Sequence, residues 1–131
     1  MLRCYIAGKI SGEDEAKAKV KFDKATEIIK QRYVMPVNPM VLVGLEKDWN
    51  KCMRICLKSL LTCDAICLLD DWKDSKGAKL EENVARGLDM LIIHLEVPKD
   101  KTINNEELII NNGDASTGSA TETVSEKGGN E

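Results

Sequence analysis

Ala65-Ile66-Cys67-Leu68-Leu69-Asp70-Asp71-Trp72-Lys73-Asp74-Ser75-Lys76-Gly77-Ala78-Lys79-Leu80-Glu81 is the stretch that decides the fold. It begins with an unbroken apolar run, the pattern of a strand buried on both faces. Its second half opens a helical pattern that continues to about Leu88. Three acids, a Ser and a Gly therefore sit where a strand hands over to a helix, with Glu81 about two turns in. In an open α/β sheet, ligands bind at the carboxyl ends of the strands. A helix N-terminus placed there offers unpaired backbone N–H groups and a positive dipole end to an anion.

Working outward, Leu2 to Ala7 reads as a first, central strand, followed by the loop Gly8-Lys9-Ile10-Ser11-Gly12. Two glycines in that loop permit close approach of backbone to a ligand. Glu13, Asp14 and Glu15 suit the first turn of a helix. Ala18, Phe22, Ala25 and Ile29 then recur at helical spacing. Tyr33 to Val37 reads as a short second strand, and Pro36 within it points to a sheet edge. Asn38-Pro39 marks the exit into a loop that runs to about Asp48. Trp49, Met53, Cys56 and Leu60 trace the apolar stripe of a second helix, with Lys51, Arg54 and Lys58 facing away. Asp64 to Leu69 is the third strand. In the helix that follows it, Leu80, Val84, Leu88 and Leu91 are expected to form the buried stripe, with Glu81 at its edge. Leu91 to Leu95 is a fourth strand, and Glu107 to Ile110 is a candidate fifth.

Strands alternating with helices call for a parallel sheet covered on both faces. The expectation is a flavodoxin-like (Rossmann-like) three-layer αβα sandwich with four or five parallel strands in the order 2-1-3-4. Its switch point falls between the first and third strands, which places the Gly8–Gly12 and Asp70–Ser75 loops on one crevice. From Asn111 the composition turns to Gly, Ser, Thr, Asn and Glu. The expected domain spans residues 1–110, with a disordered low-complexity tail over 111–131.

The 131 residues allow one domain and one core, and 43% hydrophobic with 31% charged residues is the composition of an ordinary soluble globule. The net charge of -3, with both signs interspersed, does not suggest a nucleic-acid binder. No apolar run reaches the length of a membrane span, and a cytoplasmic protein is the default expectation. Cys4, Cys52, Cys56, Cys63 and Cys67 are odd in number and lie in apolar runs, as reduced core thiols do. None has C-x-x-C spacing, and the single His, His94, is distant and expected to be a core residue, so no metal site is signalled.

The glycine loop is neither a P-loop nor a dinucleotide fingerprint. What remains is carboxylate chemistry. Asp70, Asp71, Asp74 and Glu81 could supply a nucleophile or general acid for a glycosidic bond, or bind Mg²⁺ beside a phosphate-bearing substrate. More ordinary roles stand beside these. Ser75 or Asp74 is a natural N-cap, Tyr5 a packing residue, and Trp49 and Trp72 are either core or a lid that stacks on a base.

Tyr5-Ile6-Ala7-Gly8, Asn38-Pro39, Cys63-Asp64-Ala65-Ile66 and Ser75-x-Gly77-Ala78-x-x-Glu81-x-x-x-Ala85 resemble the nucleoside 2-deoxyribosyltransferase superfamily. Residues 1–95 most resemble its short DUF4406-type branch, common in phages and bacteria. The resemblance implies that Glu81 attacks C1′ of a nucleoside and that Tyr5 orients it. It implies that Ser75 and the Gly8–Gly12 loop (Gly8, Lys9, Ser11, Gly12) contact a 5′-phosphate. Asn38, Trp72 and Gly77 join the substrate contacts. No cofactor is implied, and a homo-oligomer that completes its sites with a neighbouring subunit is. Where the characterised branches place an assisting Asp, this chain has Cys56, and a thiol is a poor proton donor to a base. Two functions follow: N-glycosidic cleavage or deoxyribosyl transfer on a nucleoside or its monophosphate, with Asp70, Asp71 or Asp74 as the acid, or a non-catalytic module that senses or sequesters a nucleotide.

Overall fold

Alternation of apolar strands with amphipathic helices yields a single parallel sheet in the computed structural model, which describes residues 1–98. The elements are β1 (Arg3–Ala7), α1 (Glu15–Lys30), β2 (Met35–Val37), α2 (Pro39–Val43), α3 (Trp49–Leu60), β3 (Ala65–Leu69), α4 (Lys76–Gly87) and β4 (Leu91–Leu95). A single 3-10 turn, Trp72–Asp74, stands between β3 and α4. The strand order is β2-β1-β3-β4, all parallel, the flavodoxin-like arrangement expected from the sequence. The candidate fifth strand at Glu107–Ile110, the domain limit at residue 110 and the tail lie outside the described residues.

β1 and β3 are central, and period-two alternation divides their side chains between two cores. Cys4, Ile6, Cys67 and Leu69 point to one face, where Phe22, Ala25 and Ile29 of α1 cover them. Tyr5, Ala7, Ile66 and Leu68 point to the other, against Cys56 and Leu60 of α3 and Ala78 and Ala85 of α4. α1 is stopped cleanly at its start by Asp14, whose carboxylate accepts from the Ala16 and Lys17 N–H groups.

Four expectations are corrected. β2 begins at Met35, because Tyr33 takes a left-handed conformation (φ 59°) and ends the turn out of α1 rather than starting a strand. The stretch after Asn38 is not all loop. Asn38 accepts from the Met40 N–H at 3.0 Å, Pro39 occupies the first turn, and a short helix follows. The buried stripe of α4 is Gly77, Ala78, Glu81 and Ala85, whereas Leu80, Leu88 and, on β4, Leu91 are exposed. Ala78 and Ala85 pack into the core of this sheet face, Gly77 lies against Met53 of α3, and Leu80 and Leu88 turn out. Among the described residues β4 is at the edge of the sheet, and its His94 is exposed rather than in the core.

Candidate functional site

Tyr5 sits in the middle of β1, paired in register with Val37 and Ile66, and is fully buried. Its ring reaches across the sheet face to α4, where its hydroxyl donates to Oε2 of Glu81 at 2.6 Å. Glu81 is 5% exposed and is the one charged residue in the core among those described. Burying a carboxylate disfavours its ionised form. Desolvation therefore pushes the Glu81 carboxyl up to about 7, with the Tyr5 hydrogen bond acting against the rise. Burial, then the neighbouring Glu81 charge, drives the Tyr5 phenol well above its ordinary range, so it stays a donor at all working pH. The Cys56 thiol lies beside the same hydroxyl and is pushed up to about 11, chiefly by burial.

The pair forms the floor of a cavity of about 510 Å³ at the carboxyl ends of β1 and β3. Oε1 of Glu81 accepts no hydrogen bond from the described residues, and Glu81 lines the cavity. α4 starts at the cavity wall. Ser75 caps it, its hydroxyl accepting from the Ala78 N–H at 3.0 Å and its carbonyl from the Lys79 N–H at 3.0 Å. Gly77 packs tightly here: a Cβ would lie 2.9 Å from the Met53 sulfur, and that side chain would have to shift.

The structure brings Tyr5, Gly8, Ser11, Asp74, Ser75, Gly77 and Glu81 together around this cavity. Lys9, Gly12, Asn38, Asp70, Asp71 and Trp72 do not line it. Asp70 is exposed and Asn38 is a helix cap. Asp71 Oδ1 accepts from the Lys9 backbone N–H at 3.0 Å, and its other oxygen pairs with the Lys21 ammonium. Of the three loop acids, Asp74 alone reaches the cavity edge.

Sequence reasoning missed the apolar wall. Met40 and Val43 of α2 and Cys52 and Met53 of α3 form it, and Trp49 is placed here as a wall residue. The signal for α2 was present in Asn38-Pro39, a cap followed by a proline at the first helical position. Lys76 holds its ammonium 4.4 Å from the centre of the Trp49 ring, at the start of α4. Lys47 and Glu46 add charges of both signs to the rim. One wall is thus soft and apolar, and the opposite side carries a carboxylate, a capped helix start and a glycine loop. Such a cavity suits a small molecule with a flat apolar part and a polar part.

Fold and cavity together define a small Rossmann-like domain with its pocket at the topological switch point of the sheet. The chain belongs to the family described as Domain of unknown function (DUF4406), whose model matches residues 2–94. Among solved structures it is similar to a 2-desoxiribosyltransferase from Leishmania mexicana, with a TM-score of 0.54 and 21% identity over 73% of this chain and 65% of that one. That likeness is one of fold, and the chain spans about two thirds of the length of its structural relative. No curated protein matches the sequence.

Proposed function

We propose that this domain cleaves or transfers the N-glycosidic bond of a nucleoside or nucleoside monophosphate, with Glu81 as nucleophile. The observation that carries the reading is the buried Tyr5–Glu81 pair lining the cavity, with one carboxylate oxygen held by Tyr5 and the other without a partner among the described residues. In the first step Glu81 Oε1 forms a bond to C1′ of the sugar while the bond from C1′ to the base nitrogen breaks. The leaving base takes a proton from Asp74, the loop acid at the cavity edge. In the second step water or another base attacks C1′ and releases Glu81, and the attacking group's proton returns to Asp74. The base lies against Trp49, Met40 and Met53. The sugar lies over Glu81, and a phosphate, where present, lies at the Ser75 end of α4.

A second reading keeps the ligand and removes the turnover. It is favoured by Cys56, whose thiol, pushed up to about 11 by burial, is no carboxylic acid. Incubating the protein with the 2′-deoxynucleosides and their 5′-monophosphates, and separating free base by chromatography, decides between them. Free base that disappears in Glu81→Ala supports the enzyme. Tight binding with no free base leaves the binding module. This reading also includes a homo-oligomer, for which the exposed Leu80, Leu88 and Leu91 offer an apolar contact face.

A further inference from the structure

Lys21 of α1 is a cation held almost out of solvent, its side chain 16% exposed, at the opening between the two loops that flank the crevice. Its ammonium donates to the Lys9 carbonyl at 2.8 Å and to Glu13 Oε1 at 2.6 Å, and it pairs with Asp71. Asp71 in turn accepts from the Lys9 N–H through its other oxygen. The result is a closed ring: Lys9 N–H to Asp71, Asp71 to Lys21, Lys21 to the Lys9 carbonyl. Both backbone polar groups of one loop residue are thereby fixed by a single ion pair.

The packing beneath reinforces the ring. Gly8, the residue before, has no room for a side chain, since a Cβ would lie 2.8 Å from Leu69 Cδ1 and 3.1 Å from Asp71 Oδ1. The loop therefore lies flat on the end of β3, with Gly8, Ile10 and Ser11 turned to the cavity. Charge-assisted hydrogen bonds in a partly buried setting are stronger and more directional than exposed ion pairs. Five of the groups involved are backbone or side-chain atoms of three separate segments: the β1 exit loop, α1 and the β3 exit loop.

We propose that Lys21 and Asp71 are positioning residues for the ligand site: their ion pair, closed through both backbone groups of Lys9, holds the Gly8–Gly12 loop in the conformation that shapes one side of the cavity. This rests on the reading of the cavity as a nucleoside site, but the ring itself is tested without any ligand. Neither residue touches the cavity, so each acts through the loop. The ring also accounts for Asp71, an acid at the crevice that does not reach the reacting groups. Its two oxygens have a backbone donor and a cation as partners.

The test uses Lys21→Met and Asp71→Ala in the full chain. Lys21→Arg serves as the conservative variant, and Lys19→Met, which breaks the exposed Lys19–Asp23 pair, as the control. Amide exchange reads the loop and the sheet separately. The expected result is Lys9 amide exchange about tenfold faster or more in Lys21→Met and Asp71→Ala, with Ile66 to Leu68 of β3 as protected as in wild type. Lys21→Arg recovers part of the protection, and Lys19→Met changes nothing. Titration with 2′-deoxyadenosine, 2′-deoxycytidine and their 5′-monophosphates shows a matching rise in Kd. The double variant is no worse than either single one, because both break the same ring. A Lys9 amide that exchanges at the wild-type rate in both variants overturns the proposal. So does equal acceleration across β3, which makes the pair a support of the whole fold instead. If wild type binds none of the four probes, the nucleoside reading falls, and the exchange of Lys9 alone decides the ring.

Discussion

The two faces of the sheet are lined by alternate residues of the same two strands, and they bury different chemistry. Towards α1, Cys4, Ile6, Cys67 and Leu69 meet Phe22, Ala25 and Ile29, and every buried side chain is apolar or a thiol. Towards α3 and α4, Tyr5, Ala7, Ile66 and Leu68 meet Cys56, Ala78 and Ala85, and a carboxylate is buried beside them. The first face is filled by one large ring, Phe22. On the second, small residues on α4 bring the helix close at one end, and a cavity stays open at the other. One face supplies the rigidity against which the other can hold a group in an unfavourable ionisation state. A buried carboxyl of raised pKa costs stability when it ionises, and the rest of the core must outweigh that.

The contrast can be broken most severely on the dry face. Phe22→Ala empties the centre of the α1 core and is expected to cost about 3–5 kcal/mol, read from the urea midpoint at unchanged slope. The wet face is expected to respond to pH instead. The Glu81 carboxyl stands at about 7 in the fold against 4.5 in its ordinary state, so the native protein binds the proton more tightly than the unfolded chain. Its contribution is fully present below the unfolded value and is lost as pH rises through the folded one. Wild-type stability should therefore fall between about pH 4.5 and pH 7, by an amount on the order of 3 kcal/mol. Glu81→Gln should flatten that slope and, in the proposed reaction, abolish free-base release. An unchanged pH profile in Glu81→Gln would put the titrating group elsewhere. The smallest effect is at the mouth of the wet face. Ser75→Ala loses the cap of α4 and should cost about 1 kcal/mol in thermal or denaturant unfolding. A larger loss in ligand affinity than in stability would show that the hydroxyl serves the ligand as well as the helix.

Most of the fold was legible because its signals are local. The apolar run at Ala65–Leu69, the spacing of Ala18, Phe22, Ala25 and Ile29, and the proline in β2 each fix one element, and the alternation fixes the sheet. α4 was legible as a helix but its inward face was not. Leu80 and Leu88 carry the stronger apolar signal, yet the buried positions of the helix are Gly77, Ala78, Glu81 and Ala85. Glu81 thus moves from the expected edge of the stripe to its centre. The motif pointed to Glu81, Tyr5 and Ser75, and the structure gathers them at one cavity. It could not reveal that Asp71 is engaged by Lys21, because the two are distant in sequence and meet only when β3 and α1 are both in place. The apolar wall from α2 and α3 was hidden for the same reason: residues around Asn38-Pro39 become a wall only once the short helix folds back over the strand ends.

The hydrogen bond from Tyr5 makes the two oxygens of Glu81 unlike. A free carboxylate is symmetric and turns either oxygen to a partner. Here one oxygen is held by the Tyr5 hydroxyl, and the other takes no hydrogen bond from the described residues. The site thus offers one carboxylate oxygen without a protein partner, its group oriented by the phenol, before any ligand arrives.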